Sequence, residues 1–222
     1  MSKLLAILLL LSLQAMSQNL KIESPIKFLA LGDSYTIGES VAEQDRWPVQ
    51  LNNAVKAKGL ATTDVRIIAT TGWRTDDLRN AMTAAHLKPE YSLVSLLIGV
   101  NNYYQGRSAE SYAPEFEALL KTAIELAQGN KAHVFVVSIP DYGYTPFGKD
   151  KQVAISAGID QFNAVSREIT ARLGVSYFNI TDISRRGLSE SGLVAEDGLH
   201  PSGRMYGEWV DLILQKTAIN KP

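Results

Sequence analysis

Five short apolar runs alternate along this chain with stretches of helical period, and that alternation restricts the fold more than any other feature. The runs cover residues 26–31, 65–69, 93–98, 133–138 and 175–180. Each is too short for a core helix and is bounded by Gly, Pro, Asn or Thr, which reads as a buried strand. Between them the period changes. Phe116, Leu119, Leu120, Ala123, Ile124 and Ala127 fall on one face of a helix predicted over 114–128, with Gly129 as its C′ residue. Ile155, Ile159, Phe162, Val165, Ile169 and Leu173 repeat the pattern and Gly174 closes it; Met205, Trp209, Leu212 and Ile213 mark a last helix after Pro201-Ser202. Alternating strands and helices predict βαβ units and a single doubly wound α/β domain: a mostly parallel five-stranded sheet with helices on both faces, a three-layer α/β/α arrangement for which flavodoxin-like order is a common one.

The N-terminus stands apart. Met1-Ser2-Lys3 is a short positive segment, residues 4–13 are apolar except for Ser12, and Ala15 and Ser17 have the small-residue spacing of a cleavage site. This run is short against the ~20 residues of a spanning helix. Residues 1–17 are therefore expected to be a cleaved signal peptide and 18–222 the exported domain, periplasmic or secreted, with no stable membrane insertion after cleavage. A net charge of −1 from 22 basic and 23 acidic residues carries no nucleic-acid footprint. With no cysteine, thiolate metal sites and a cysteine nucleophile are excluded.

Function is expected where the strands end, because ligands of open α/β sheets bind outside the carboxyl ends of the strands. The first run stops at Gly32-Asp33-Ser34, the second at Thr70-Thr71-Gly72 and the third at Gly99-Val100-Asn101-Asn102. In a 2-1-3-4-5 sheet the first strand lies between the second and third, so Ser34 would sit between Gly72 and Asn101. Ser34 there is either a helix cap or a nucleophile. As a nucleophile it needs a base, and three histidines are available. His133 opens a strand and His86 ends a helical stretch, where a ring can cap carbonyls. His200 has Asp197 three residues before it, so one loop can supply a base and the carboxylate that orients it. The backbone N–H groups of Ser34 and Gly72 and the side-chain amide of Asn101 are candidate oxyanion donors. The G-x-S-x-G elbow, H-E-x-x-H and phosphate-loop motifs are absent.

Together these segments resemble the blocks of the GDSL, or SGNH, family of serine esterases and lipases. Gly32-Asp33-Ser34, Gly72, Gly99-Val100-Asn101-Asn102 and Asp197-Gly198-Leu199-His200-Pro201 carry the likeness, and Arg46-Trp47-Pro48 is similar to arylesterase- and lysophospholipase-like members. The resemblance implies the SGNH hydrolase fold, a Ser34–His200–Asp197 triad forming a covalent acyl-enzyme, oxyanion donors at Ser34, Gly72 and Asn101, and no metal or organic cofactor. It implies a small-molecule ester as partner: an acetylated carbohydrate, a short-chain or aryl ester, or a lysophospholipid. Asn102 stands where the family usually has aspartate, a departure that bears on loop geometry or substrate fit. A non-catalytic carbohydrate- or lipid-binding module and an acyltransferase are the alternatives on the same fold.

Around this site, Trp73, Tyr103, Tyr104, Tyr142, Tyr144 and Phe147 are expected near the cleft, half or more of them simply packing loops. Arg74 is either a partner for an anionic substrate group or a solvated side chain. Residues 141–151, rich in Gly, Tyr and Pro, are the candidate pocket wall or lid.

Overall fold

The computed structural model describes residues 19–220; the expected signal peptide lies outside them. In chain order the strands are β1 (Lys21–Glu23), β2 (Phe28–Gly32), β3 (Arg66–Ala69), β4 (Leu93–Leu97), β5 (Val134–Val137), β6 (Ser176–Phe178) and β7 (Ala218–Asn220). The α-helices are α1 (Ser34–Ile37), α2 (Trp47–Ala57), α3 (Thr75–Ala84), α4 (Val100–Tyr104), α5 (Ala109–Leu126), α6 (Gln152–Leu173), α7 (Thr181–Ser184) and α8 (Gly203–Gln215).

Five strands form one parallel sheet in the order β3-β2-β4-β5-β6, the flavodoxin-like arrangement. Its three central strands, β2, β4 and β5, are buried at every position. Helices cover both faces, which is why these strands read as continuous apolar runs. Helices α3, α5 and α6 pack in series, and α2 packs against α8. Phe28, Trp47 and Phe135 meet pairwise in the core with ring centroids 6.1–6.2 Å apart.

Register is what builds the site. Gly32 at the end of β2 pairs with Ala69 on one side and Leu97 on the other. Three strands therefore finish level, and the segments after them open at one height. Gly32 is required by space: a Cβ there would lie 2.2 Å from Thr36 Oγ1 and 2.5 Å from the Leu97 carbonyl oxygen.

Three local features differ from expectation. Helix α5 begins at Ala109, where Ser108 caps it by accepting the Ser111 N–H, and Pro114 lies inside the helix. Helix α3 ends before His86, whose backbone N–H bonds the Thr83 carbonyl and whose φ is +45°. Finally, β1 and β7 pair in parallel as a separate two-stranded sheet that brings the two ends of the described chain together.

Candidate active site

Asp33 caps α1, its Oδ1 accepting the Tyr35 N–H at 3.1 Å. The neighbouring aspartate takes the capping role, and Ser34 is the first residue of the helix. Asp33 is fully buried, and its Oδ2 has no hydrogen-bond partner among the described residues. Burial pushes its carboxyl up to about 7, against the pull of backbone N–H groups at Tyr35, Asp33 and Gly99.

Ser34, Gly72, Asn101 and His200 line one cleft of about 290 Å³, with Tyr104, Tyr142 and Phe147 among its walls. Gly72 adopts φ +83°, and a Cβ built on it would meet no atom within 4 Å. Glycine is needed here for backbone conformation, not for room. Gln105 donates to the Gly72 carbonyl at 3.2 Å. Asn101 Nδ2 donates one N–H to the Trp73 carbonyl at 3.0 Å, which fixes the plane of its amide and leaves a second N–H. The buried Asn102 accepts the Thr75 N–H at 3.1 Å and donates to Thr75 Oγ1 at 2.7 Å; that hydroxyl in turn bonds Glu115. Asn102 thus joins α4 to the start of α3, which explains its bearing on loop geometry.

The histidine is held by its own loop. Asp197 Oδ2 lies 2.6 Å from His200 Nδ1, while Oδ1 accepts the Leu199 and His200 N–H groups, each at 2.9 Å. Burial works to raise the Asp197 pKa, but hydrogen bonds from Ser40, His200 and the two backbone N–H groups together hold it well below the usual carboxylate range. An ionised carboxylate only accepts, so Nδ1 of the neutral ring carries the proton and Nε2 keeps the lone pair. Tyr35 packs edge-on against the imidazole, with centroids 5.6 Å apart.

Neither of the other two histidines lines this cleft. His86 borders a separate depression of about 220 Å³ with Met82 and Leu119. His133 lies 3.6 Å from Glu23, a tie between the start of β5 and β1. Of the six aromatic residues expected nearby, Tyr104, Tyr142 and Phe147 line the cleft, their ring centroids 6.2–6.4 Å apart. Tyr103 packs on Phe162 and bonds the Ala154 carbonyl, and Trp73 packs against the core. Arg74 is outside the lining of this cleft: it grips Asp76 through two nitrogens and also bonds Gln105.

The segment 141–151 is an anchored wall. The buried Asp141 accepts from the Gly143 N–H, Ser156 Oγ and Arg185 Nε at 2.7–3.0 Å. Phe147 N–H also bonds the Gly198 carbonyl at 2.9 Å, tying the wall to the histidine loop. Tyr35, Ser40, Thr71, Asp141, Arg185 and Leu199 were not singled out from sequence. Tyr35, Thr71 and Leu199 adjoin Ser34, Gly72 and His200 in the chain, whereas Ser40, Asp141 and Arg185 reach the site through tertiary contacts.

A doubly wound α/β/α domain with these residues gathered at its strand ends has the SGNH hydrolase fold. The chain belongs to the GDSL-like lipase/acylhydrolase family, whose model matches residues 30–207, and is a carboxylic ester hydrolase. No curated protein matches its sequence. Solved structures share the fold at low identity. A mutant of Axe2, an acetyl-xylooligosaccharide esterase from Geobacillus, has TM-score 0.71 and 17% identity, over 89% of this chain and 96% of that one. A lipase/acylhydrolase from Enterococcus faecalis has TM-score 0.68 and 18% identity, over 86% and 94%. The psychrotrophic esterase EstA from a Pseudoalteromonas species has TM-score 0.64 and 18% identity, over 86% and 95%.

Proposed function

We propose that the protein is an exported serine esterase that works through a Ser34–His200–Asp197 triad. Ser34 Oγ attacks the ester carbonyl carbon while His200 Nε2 takes its proton. The tetrahedral oxyanion is met by the N–H groups of Ser34 and Gly72 and by the Asn101 amide. As it collapses, the C–O bond to the alcohol breaks, and His200 returns the proton to the departing oxygen. Water, losing a proton to His200, then attacks the acyl-Ser34 carbonyl; the C–O bond to Ser34 breaks, His200 returns the proton to Ser34 Oγ, and the carboxylic acid leaves. Asp197 holds the ring tautomer and stabilises the imidazolium without taking its proton.

One observation carries this reading: Ser34, Gly72, Asn101 and His200 share a single cleft, and the imidazole is backed by Asp197 at 2.6 Å. The volume of the cleft, about 290 Å³, lies at the low end for ligand sites, and its walls are largely aromatic or aliphatic. Both features support a small or soluble ester: an acetylated carbohydrate, a short-chain or aryl ester, or a lysophospholipid. Export rests on residues 1–17 alone.

The test is Ser34→Ala together with fluorophosphonate labelling of folded protein. Wild type should label at Ser34, and Ser34→Ala should lose label and at least about 10⁴-fold in kcat. Activity surviving in Ser34→Ala would sink the mechanism, and folded wild type that neither labels nor hydrolyses would mark a binding module. Acetylated sugars, lysophospholipids and p-nitrophenyl esters of graded chain length then sort the substrates.

A further inference from the structure

The turn after α1 makes two contacts that the steps above do not use. Ser40 Oγ donates to Asp197 Oδ2 at 2.6 Å, across 157 positions of sequence. Next to it, Glu39 accepts the Thr71 hydroxyl, one residue before Gly72. The segment that follows Ser34 therefore touches both the histidine loop and the Gly72 loop.

Two features of Ser40 point beyond chance proximity. Its backbone sits at φ +65°, one of three non-glycine residues with positive φ among the described residues. An L side chain is uncommon there, and such conformations persist only where the surroundings over-determine them. Glycine would occupy this position with less strain but would bring no hydroxyl. The hydroxyl also reaches the same carboxylate oxygen that bonds His200 Nδ1. The remaining oxygen of Asp197 is occupied by N–H groups of its own loop, at Leu199 and His200. Among the hydrogen bonds that hold this carboxylate, Ser40 supplies the one that comes from the nucleophile's side of the cleft.

We propose that Ser40 is a positioning residue for ester hydrolysis, fixing Asp197, and through it the imidazole, relative to Ser34. The proposal rests on the triad reading. A carboxylate with two donors on Oδ2 cannot swing away from the ring, and part of its charge is spent on Ser40. Without that hydroxyl, Asp197 is freer to move and holds the proton of His200 harder. Catalysis should slow, and the acid limb of kcat/KM should move to higher pH. No lysine or arginine pairs with Asp197 among the described residues. Tyr35, Tyr142, Tyr206, Asp33, Glu39 and Asp141 are the other titratable groups around the pair.

Ser40→Gly and Ser40→Thr separate positioning from a merely structural role. Gly removes the donor and relieves the strained backbone, so its melting temperature should equal or exceed that of wild type. Its kcat should fall about tenfold, a loss limited because Ser40 is exposed and water can partly replace it. KM should stay within about twofold, because the hydroxyl acts through Asp197 and not on substrate. Thr keeps the hydroxyl but is β-branched at a positive φ, so it should melt earlier while keeping the wild-type kcat and pH profile. A Ser40→Gly enzyme with wild-type kcat and an unmoved acid limb overturns the proposal. So does one whose kcat falls only in step with a lost melting temperature. If Ser40→Thr does not fold, Ser40→Gly alone decides. Ser34→Ala distinguishes the two failures: if it stays active the triad is wrong, and if it is dead while Ser40→Gly is unaffected, only the role of Ser40 is wrong.

Discussion

The buried Asp33 makes the stability of this enzyme depend on pH in an unusual direction. Its carboxyl is pushed up to about 7 by burial, from an ordinary value of 3.8. Between those two values the folded chain holds a proton that the unfolded chain has released. Stability must then fall as pH rises, because the slope follows the excess of protons bound in the unfolded state, here negative. The Asp33 contribution is intact below pH 3.8, is lost progressively up to about pH 7, and is constant above that. At about 1.4 kcal/mol per pH unit, the interval sets a ceiling of about 4 kcal/mol. Asp33→Asn keeps an oxygen to accept the Tyr35 N–H and removes the titration. Urea unfolding of both proteins at several pH values from 4 to 8 isolates the term, since all other groups cancel in the difference. The variant should gain on wild type by up to about 4 kcal/mol between pH 4 and 8, whatever the offset at pH 4. A constant difference across that range would refute the reasoning, because Asp33 would then ionise alike in both states.

Two further changes test the walls of the site. Asn102→Asp restores the residue common in the family but replaces a donor to Thr75 Oγ1 with a carboxylate, which would compete with Glu115 for one hydroxyl. It should destabilise by about 1–3 kcal/mol at pH 7 and by less at pH 4, measured by denaturant midpoint. Arg185→Met strips the cation from the fully buried Asp141 side chain and should cost about 3 kcal/mol. Because Asp141 anchors the wall that carries Tyr142 and Phe147, KM should rise by more than kcat falls, read from steady-state kinetics.

Much of the fold was legible because central parallel strands are buried on both faces and announce themselves as apolar runs. All five expected strands formed within about two residues of their predicted ends. The three-residue strands β1 and β7 gave no such signal, since β7 is exposed or half-buried throughout. Helix α5 shows how a local rule misleads: Pro114 resembles a first-turn proline, but Ser108 offers the cap and the helix tolerates proline within. Arg74 is held by Asp76, two residues away, a pairing that its position beside Trp73 does not announce.

Legibility of the site divides along the same physical line. Asp197 and His200 share one turn, so their spacing nearly determines their contact. Ser34, Gly72 and Asn101 follow from strand order, because adjacent parallel strands that end level must open side by side. Ser40 follows from neither, since its partner lies 157 residues away and its positive φ leaves no mark in sequence. Gly32-Asp33-Ser34 offers two residues that can cap a helix, and sequence does not say which does. The chain places Asp33 one position ahead of α1, in the extended conformation of an N-cap, and Ser34 inside the helix. Asp33 thereby satisfies the Tyr35 N–H at the start of the helix, and Ser34 lines the cleft. The aspartate of that tripeptide thus takes the cap, as a buried carboxyl whose titration the Asp33→Asn comparison measures.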